Sequence, residues 1–271
     1  METAAVLFAA TRTELSIQKQ NEAVPYPQIF GSFCNLTAAM HKNFLIKYAR
    51  LNLRTDFDSL QIETRELIHS NAWLPHVNKK HYTGEWQVLA LRSAGGNLKH
   101  IVADQMNETA FIDTALMDQL PSVKKFTANL ECPVMSVRLL NLKSGAIIKP
   151  HRDFDLCFEK GEARIHLPIF TNEAVEFILD EERLLMKEGE CWYINANLSH
   201  SVANYGRTDR LHLVIDCTVN EWLKNIFNEA EKVMIEEKIN VHEIQKVIRE
   251  LRLQNTTMSN KLADQLAEKI R

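Results

Sequence analysis

"GECWYINANLSHSVANYGRTDRLHLVID", residues 189–216, decides how this chain is read. Its short apolar runs, CWYINA, HSVANY and RLHLVID, are punctuated by Gly189 and Gly206, and runs of this length between turn residues read as strands. In the last run Arg210 and His212 share one face and Leu211 and Leu213 the other, because successive strand side chains point to opposite sides. Upstream, RIHLPIF (164–170) repeats the arrangement, with Arg164 and His166 opposite Ile165 and Leu167. PVMSVRLLNL, AIIKPHRDF, VEFILD and RLLMK, with turns at Gly145 and Gly161, complete a series that predicts an all-β sandwich or barrel over 132–219.

The flanks have a different texture. DFDSLQIETRELIHS (56–70) predicts a helix running up to Trp73, and EWQVLALRS (85–93) a strand before the Gly95-Gly96 turn. Residues 1 to about 125 mix helical and extended patterns. Residues 221–271 read as helical in both NEWLKNIFNEAEKVMIEEKI and VHEIQKVIRELRLQ. The second run carries Val241, Ile244, Val247, Ile248 and Leu251 at three- and four-residue steps, an amphipathic stripe. EAEKVMIEEK reads most simply as a solvated charged face. The stripe is open to packing on the β core, to covering its mouth, or to pairing with a second copy.

Composition sets bounds on function. The 271 residues are 45% hydrophobic and 25% charged, as in ordinary globular proteins, and the net charge of −3 gives no global footprint for nucleic acid. No apolar run approaches the roughly 18 residues of a membrane span. The opening METAAVLFAATRTELS lacks a basic stretch ahead of its apolar patch, so it is not read as a signal peptide. Five scattered cysteines without a CxxC pair argue against a disulfide framework or a cysteine zinc site, and for a reducing, cytoplasmic setting.

The chemistry-bearing residues gather in the β region. In KPHRDFDL (149–156) His151 and Asp153 lie two apart, followed by His200 and Arg210. Two histidines and one carboxylate form the facial triad of non-haem Fe(II), and an arginine fork suits a carboxylate ligand. The residues alone also allow a surface His–Asp pair with His200 in a loop, and Arg/His faces that look outward to solvent. Two such faces in the region of the His-x-Asp pair point instead to a barrel with a polar, cationic interior.

The run PHRD…RIHLPIFTN…GECWYINANLSHSVANYGRTDRLHLVID resembles the aspartyl/asparaginyl β-hydroxylase family of Fe(II)/2-oxoglutarate oxygenases. Within that family it is most similar to bacterial hydroxylases of free amino acids, of the cis-proline hydroxylase type. WLPHVNKKHYTGEWQVLALRSAGG (73–96) resembles their N-terminal portion, so the similarity covers roughly residues 70–218. It implies a mainly β protein with flanking helices, built on a double-stranded β-helix or jelly roll. The domain would span 1–220, with an α/β portion at 1–130, a jelly-roll core at 131–220, and a helical extension at 221–271.

The resemblance implies Fe(II) on His151, Asp153 and His200. It places the distal carboxylate of 2-oxoglutarate on Arg210, with Arg164 and His166 near the co-substrate. Oxygen would be the second co-substrate, with succinate and carbon dioxide as by-products of C–H hydroxylation. One branch of the family has glycine at the position of Asp153, so the complete triad here aligns with the proline-hydroxylase-like branch. A serine that assists the distal carboxylate in that family falls at Leu140. The implied substrate is a small molecule, a free amino acid in preference to a peptide residue. Its charges need partners, and Arg92, Arg138 and Arg152 are candidates, although Arg152 should face away from His151 and Asp153. Trp73, Tyr82, Trp86, Trp192 and Tyr193 are candidate pocket walls or core residues. Packing of the C-terminal helices on their own barrel is the default expectation, with a homodimer through them as the alternative, and no nucleic acid or membrane partner is expected. Two rival readings, a cupin-like enzyme without a dicarboxylate co-substrate and an inactive binding barrel, fit the Arg210 clamp and the intact triad less well.

Overall fold

The computed structural model describes residues 43–69, 73–101, 109–237, 241–268 and 270. The expectations for the N-terminal patch and for any elements before residue 43 lie outside them. Two sheets form the body. The larger takes the order β14 (Glu231–Glu236), β1 (Phe44–Leu51), β11 (Cys191–Ile194), β8 (Glu162–Phe170), β13 (Arg210–Thr218), β6 (Val134–Leu142), β4 (Trp86–Ala94), β2 (Leu74–Pro75), with β5 (Phe111–Asp113) also on β4. The smaller runs β10 (Glu182–Leu184), β9 (Val175–Leu179), β12 (His200–Asn204), β7 (Ile147–His151), β3 (Tyr82–Thr83). From β6 to β13 the chain passes back and forth between the sheets, and the recorded pairings are antiparallel. This is the double-stranded β-helix.

Alternation along the strands explains the layering. β13 is buried on both sides. Leu211, Leu213, Ile215 and Cys217 join a core cluster with Leu60, Phe126, Leu223 and Phe227 of the helices α1 (Phe57–Leu67), α2 (Pro121–Ala128) and α3 (Glu221–Glu229). Its other face, with Val214, joins a second cluster containing Val88, Ala90, Phe177, Leu179 and Val202 from both sheets. The helices therefore cover one face of the large sheet, and the small sheet covers the other. Asp56 caps α1 by accepting from the Ser59 amide at 3.3 Å, as the DFDS sequence favours. Gly84, at φ +75°, lets the turn before β4 lie against the one before β7, where a Cβ would sit 2.8 Å from Ala146 Cα.

One element departs from the sequence reading. Among the described residues the helical reading of 220–239 holds for α3 only, and Glu231–Glu236 is the edge strand β14, paired antiparallel with β1. Local propensity favours helix in EKVMIE, but the open edge of β1 offers backbone partners that an isolated helix cannot match. Beyond it, α4 (Val241–Gln254) and α5 (Thr257–Glu268) pack on each other, tied by Arg252 to Asp264 at 2.7 Å. Val247, Leu253, Met258 and Leu262 remain exposed on them.

Candidate metal and carboxylate site

The space between the sheets opens into a cavity of about 580 Å³. His151, Asp153 and His200 line it, and their candidate ligand atoms all lie within 4.8 Å of one another. Strand pairing brings the histidines together. His151 ends β7, His200 begins β12, and they are register partners with ring centroids 4.2 Å apart. Their Nδ1 atoms lie against backbone carbonyls, His151 on Lys149 at 2.9 Å and His200 on Leu198 at 3.0 Å. A carbonyl only accepts, so each Nδ1 carries the proton and each Nε2 keeps its lone pair. Burial holds His200 neutral, with its pKa lowered to about 4. Asp153 follows β7, its amide donating to Ala196 at 2.9 Å, and its Oδ1 lies 3.9 Å from His151 Nε2. Burial opposes its ionisation, but nearby positive charge, the Arg164 guanidinium foremost, outweighs burial and holds the carboxyl below its usual range. Two imidazole nitrogens and one carboxylate oxygen on one wall of a polar cavity are the donor set that suits ferrous iron.

Three arginines line the same cavity. Arg164, inward on β8, reaches two acids: its Nη1 donates to Asp153 Oδ2, and its Nε donates to Asp216 Oδ1 at 2.6 Å. Arg138 of β6 also donates to Asp216, and to the Ile101 carbonyl at 3.3 Å. Ser136 Oγ donates to Asp216 at 2.8 Å. Burial alone would push the Asp216 carboxyl up, yet the two guanidinium groups hold it far below the carboxylate range.

Arg210 differs. It is 2% exposed, and no carboxylate among the described residues pairs with it. Its Nη2 lies 2.9 Å from His212 Nδ1, its Nε has no partner, and burial lowers its pKa to about 9. Neither ring nitrogen of the buried His166 has a partner. Burial first, and then the charge of Arg210, keep His166 and His212 neutral. A guanidinium withdrawn from water without an anion is costly, so this end of the cavity is built to receive one.

The structure thus gathers His151, Asp153, His200, Arg164, His166, Arg210 and Arg138 around one cavity. Arg92 is not among the cavity-lining residues. Its guanidinium donates to Asp113 at 2.7 Å and to the Val134 carbonyl at 3.0 Å, away from the cavity lining. Arg152, just past the end of β7, is exposed and does not line the cavity. Leu140 and Trp86 line the cavity, whereas Trp73 packs in the helix-side cluster and Tyr193 sits in that core with its hydroxyl accepting from the Phe158 amide. Trp192 donates to Glu190 at 2.9 Å, and Tyr82 packs edge-on to Trp86. Asp216 and His76 are among the cavity residues that the sequence reading did not single out. Asp216 closes the RLHLVID run already quoted, and His76, within WLPHVN, stacks on Trp86 at 3.6 Å.

The chain is 25% identical over 197 residues to an L-proline cis-4-hydroxylase of Rhizobium meliloti (strain 1021), a match covering 71% of this chain and 66% of the relative. It is 26% identical over 137 residues to an L-proline cis-3-hydroxylase of a Streptomyces species, covering 49% of this chain and 47% of that one. The chain therefore spans less than two thirds of either relative's length. A solved 2OG-Fe(II) oxygenase-family oxidoreductase from Burkholderia pseudomallei overlaps 58% of this chain and 77% of its own, at 11% identity and a TM-score of 0.40. Residues 54–219, more than half of the chain, match the family described as aspartyl/asparaginyl beta-hydroxylase, and the chain belongs to that family.

Proposed function

We propose that the protein is an Fe(II)/2-oxoglutarate-dependent hydroxylase of a free amino acid. One observation carries the reading: the His151, Asp153 and His200 donors open into the same cavity as a buried arginine with no carboxylate partner among the described residues. His151, Asp153 and His200 would hold the metal, and Arg210 the distal carboxylate of 2-oxoglutarate. Bound there, ferrous iron with 2-oxoglutarate supplies oxidative decarboxylation, giving succinate and carbon dioxide, and hydroxylation of an unactivated C–H bond by dioxygen.

The chain's own part is orientation and exclusion. The Nδ1 bonds fix both imidazole rings. Arg210 supplies a planar, charged fork whose desolvation is relieved by an incoming carboxylate. Phe177, whose ring centroid lies 5.8 Å from the Arg210 guanidinium carbon, and Val202 keep that end apolar around the charge. Arg138, 5% exposed and lining the cavity, is the candidate partner for the amino acid's carboxylate. The sequence relatives act on L-proline, and the cavity has the volume of a small-molecule site, which together support a free amino acid.

Succinate formation from 2-oxoglutarate, followed across a panel of free amino acids with Fe(II), tests the reading. Stimulation by one amino acid, abolished by His151→Ala, is the expected result. Absence of both metal and 2-oxoglutarate binding would leave an inert binding barrel in its place.

A further inference from the structure

We propose that Asp216 is a positioning residue of the metal site, acting through Arg164 to set which oxygen of Asp153 faces the two histidines. The proposal rests on the metal reading above. Arg164 uses Nε and Nη2 on the two oxygens of Asp216, at 2.6 and 3.2 Å, and its Nη1 on Asp153 Oδ2. A guanidinium is rigid and planar, so anchoring two of its nitrogens fixes where the third points. With Oδ2 held by Arg164, Oδ1, the oxygen 3.9 Å from His151 Nε2, is the one left to a metal.

The anchor and the ligand differ in how they are supported. Asp216 lies on β13, between β6 and β8 in the large sheet, with Ser136 and Arg164 as its register partners. It is fully buried and also holds Arg138 and the Ser136 hydroxyl. Asp153 lies past the end of β7 in a connecting segment, next to Phe154 at 80% exposure and near Asp155 at φ +67°. A ligand on a loop is held less firmly than one on a strand. Arg164 lends the loop ligand the rigidity of the central strand, the outer-shell support that ligating carboxylates need. The same contacts would also serve a simpler end, neutralising two buried arginines, and the two roles separate by experiment.

Co(II) is the probe, because its visible absorption reports the ligand field and its titration gives an affinity without turnover. Wild type, His151→Ala, Asp216→Asn, Arg164→Lys and the Asp216→Asn/Arg164→Lys double variant are titrated, with thermal unfolding recorded for each. Asp216→Asn is expected to weaken Co(II) binding about 10-fold or more and to alter the absorption envelope. Adding it to Arg164→Lys should cost little more than Arg164→Lys alone, because the two act in series. If the Asn variant does not fold, Asp216→Glu keeps the buried charge while shifting the anchor, and the same weakening is expected. Co(II) affinity and spectrum unchanged in a folded Asp216 variant, whatever its melting temperature, would overturn the positioning role while leaving the metal reading intact. So would losses that multiply in the double variant. Failure of the wild type to bind Co(II) through His151 would remove both proposals together.

Discussion

The two ends of β13 face the same cavity and treat charge in opposite ways. At one end Asp216 gathers two arginines and a serine hydroxyl, so that its buried charge is fully answered from within the chain. At the other end Arg210 meets only His212, with its Nε unpartnered. Buried charge is tolerated when paired and hydrogen-bonded. The Asp216 charge, at the closed end, is therefore answered by folding, with the Arg138 Nε left unpartnered beside it, and the Arg210 charge, at the open end, is left to a ligand. The contrast separates residues that stabilise the protein from residues that stabilise its complex.

Substitutions at the two ends should break that symmetry in order of size. Asp216→Ala leaves Arg138 without a carboxylate and Arg164 with Asp153 alone, and should cost about 3–5 kcal/mol in urea unfolding; a loss under about 1 kcal/mol would show that the closed end is not held by this pairing. Arg210→Met should weaken 2-oxoglutarate binding, measured by calorimetry on the metal-loaded protein, on the order of 100-fold. The same change should leave the ligand-free protein at least as stable as the wild type, since it removes an unanswered buried cation. If Arg210→Met instead destabilises the free protein, the open end has an internal partner after all. Ser136→Ala, which deletes one hydrogen bond to a charged group, should cost about 1.5 kcal/mol.

The mildest test is pH. His166, His212 and His200 have folded pKa values below their unfolded ones, His200 at about 4. Below about pH 6.5 the unfolded chain therefore binds more protons than the folded one. Stability of the metal-free protein should be fully present above that pH and decline as pH falls towards 4. In Arg210→Met the decline should be shallower, because the charge of Arg210 contributes to holding His166 and His212 neutral. An identical slope in both proteins would mean that burial alone does so.

What the sequence disclosed follows from how local each signal is. His151, Asp153, His200, Arg164, His166 and Arg210 were legible because two-residue alternation fixes a face, and because these residue types carry metal and carboxylate chemistry. Asp216 was printed in the same run and passed over. Its role depends on register across β6 and β8, which pairs it with Ser136 and Arg164, and register is a non-local property. Arg92 shows the reverse: in sequence it is an unpaired strand arginine, and the pairing of β4 with β5 brings Asp113 to it. β14 was misread because its sequence favours helix while the open edge of β1 decides for strand.

That edge pairing also constrains how the chain matures. β14 and β1 are separated by about 180 residues of sequence, and β1 has β11 on its other side. During synthesis β1 emerges long before β14, so its outer edge stays unsatisfied until the late segment arrives, and such edges invite association with other chains. Closing so long a loop is slow. The pairing that covers this edge of β1 therefore comes late in synthesis, and it is carried out by a segment that does not line the cavity.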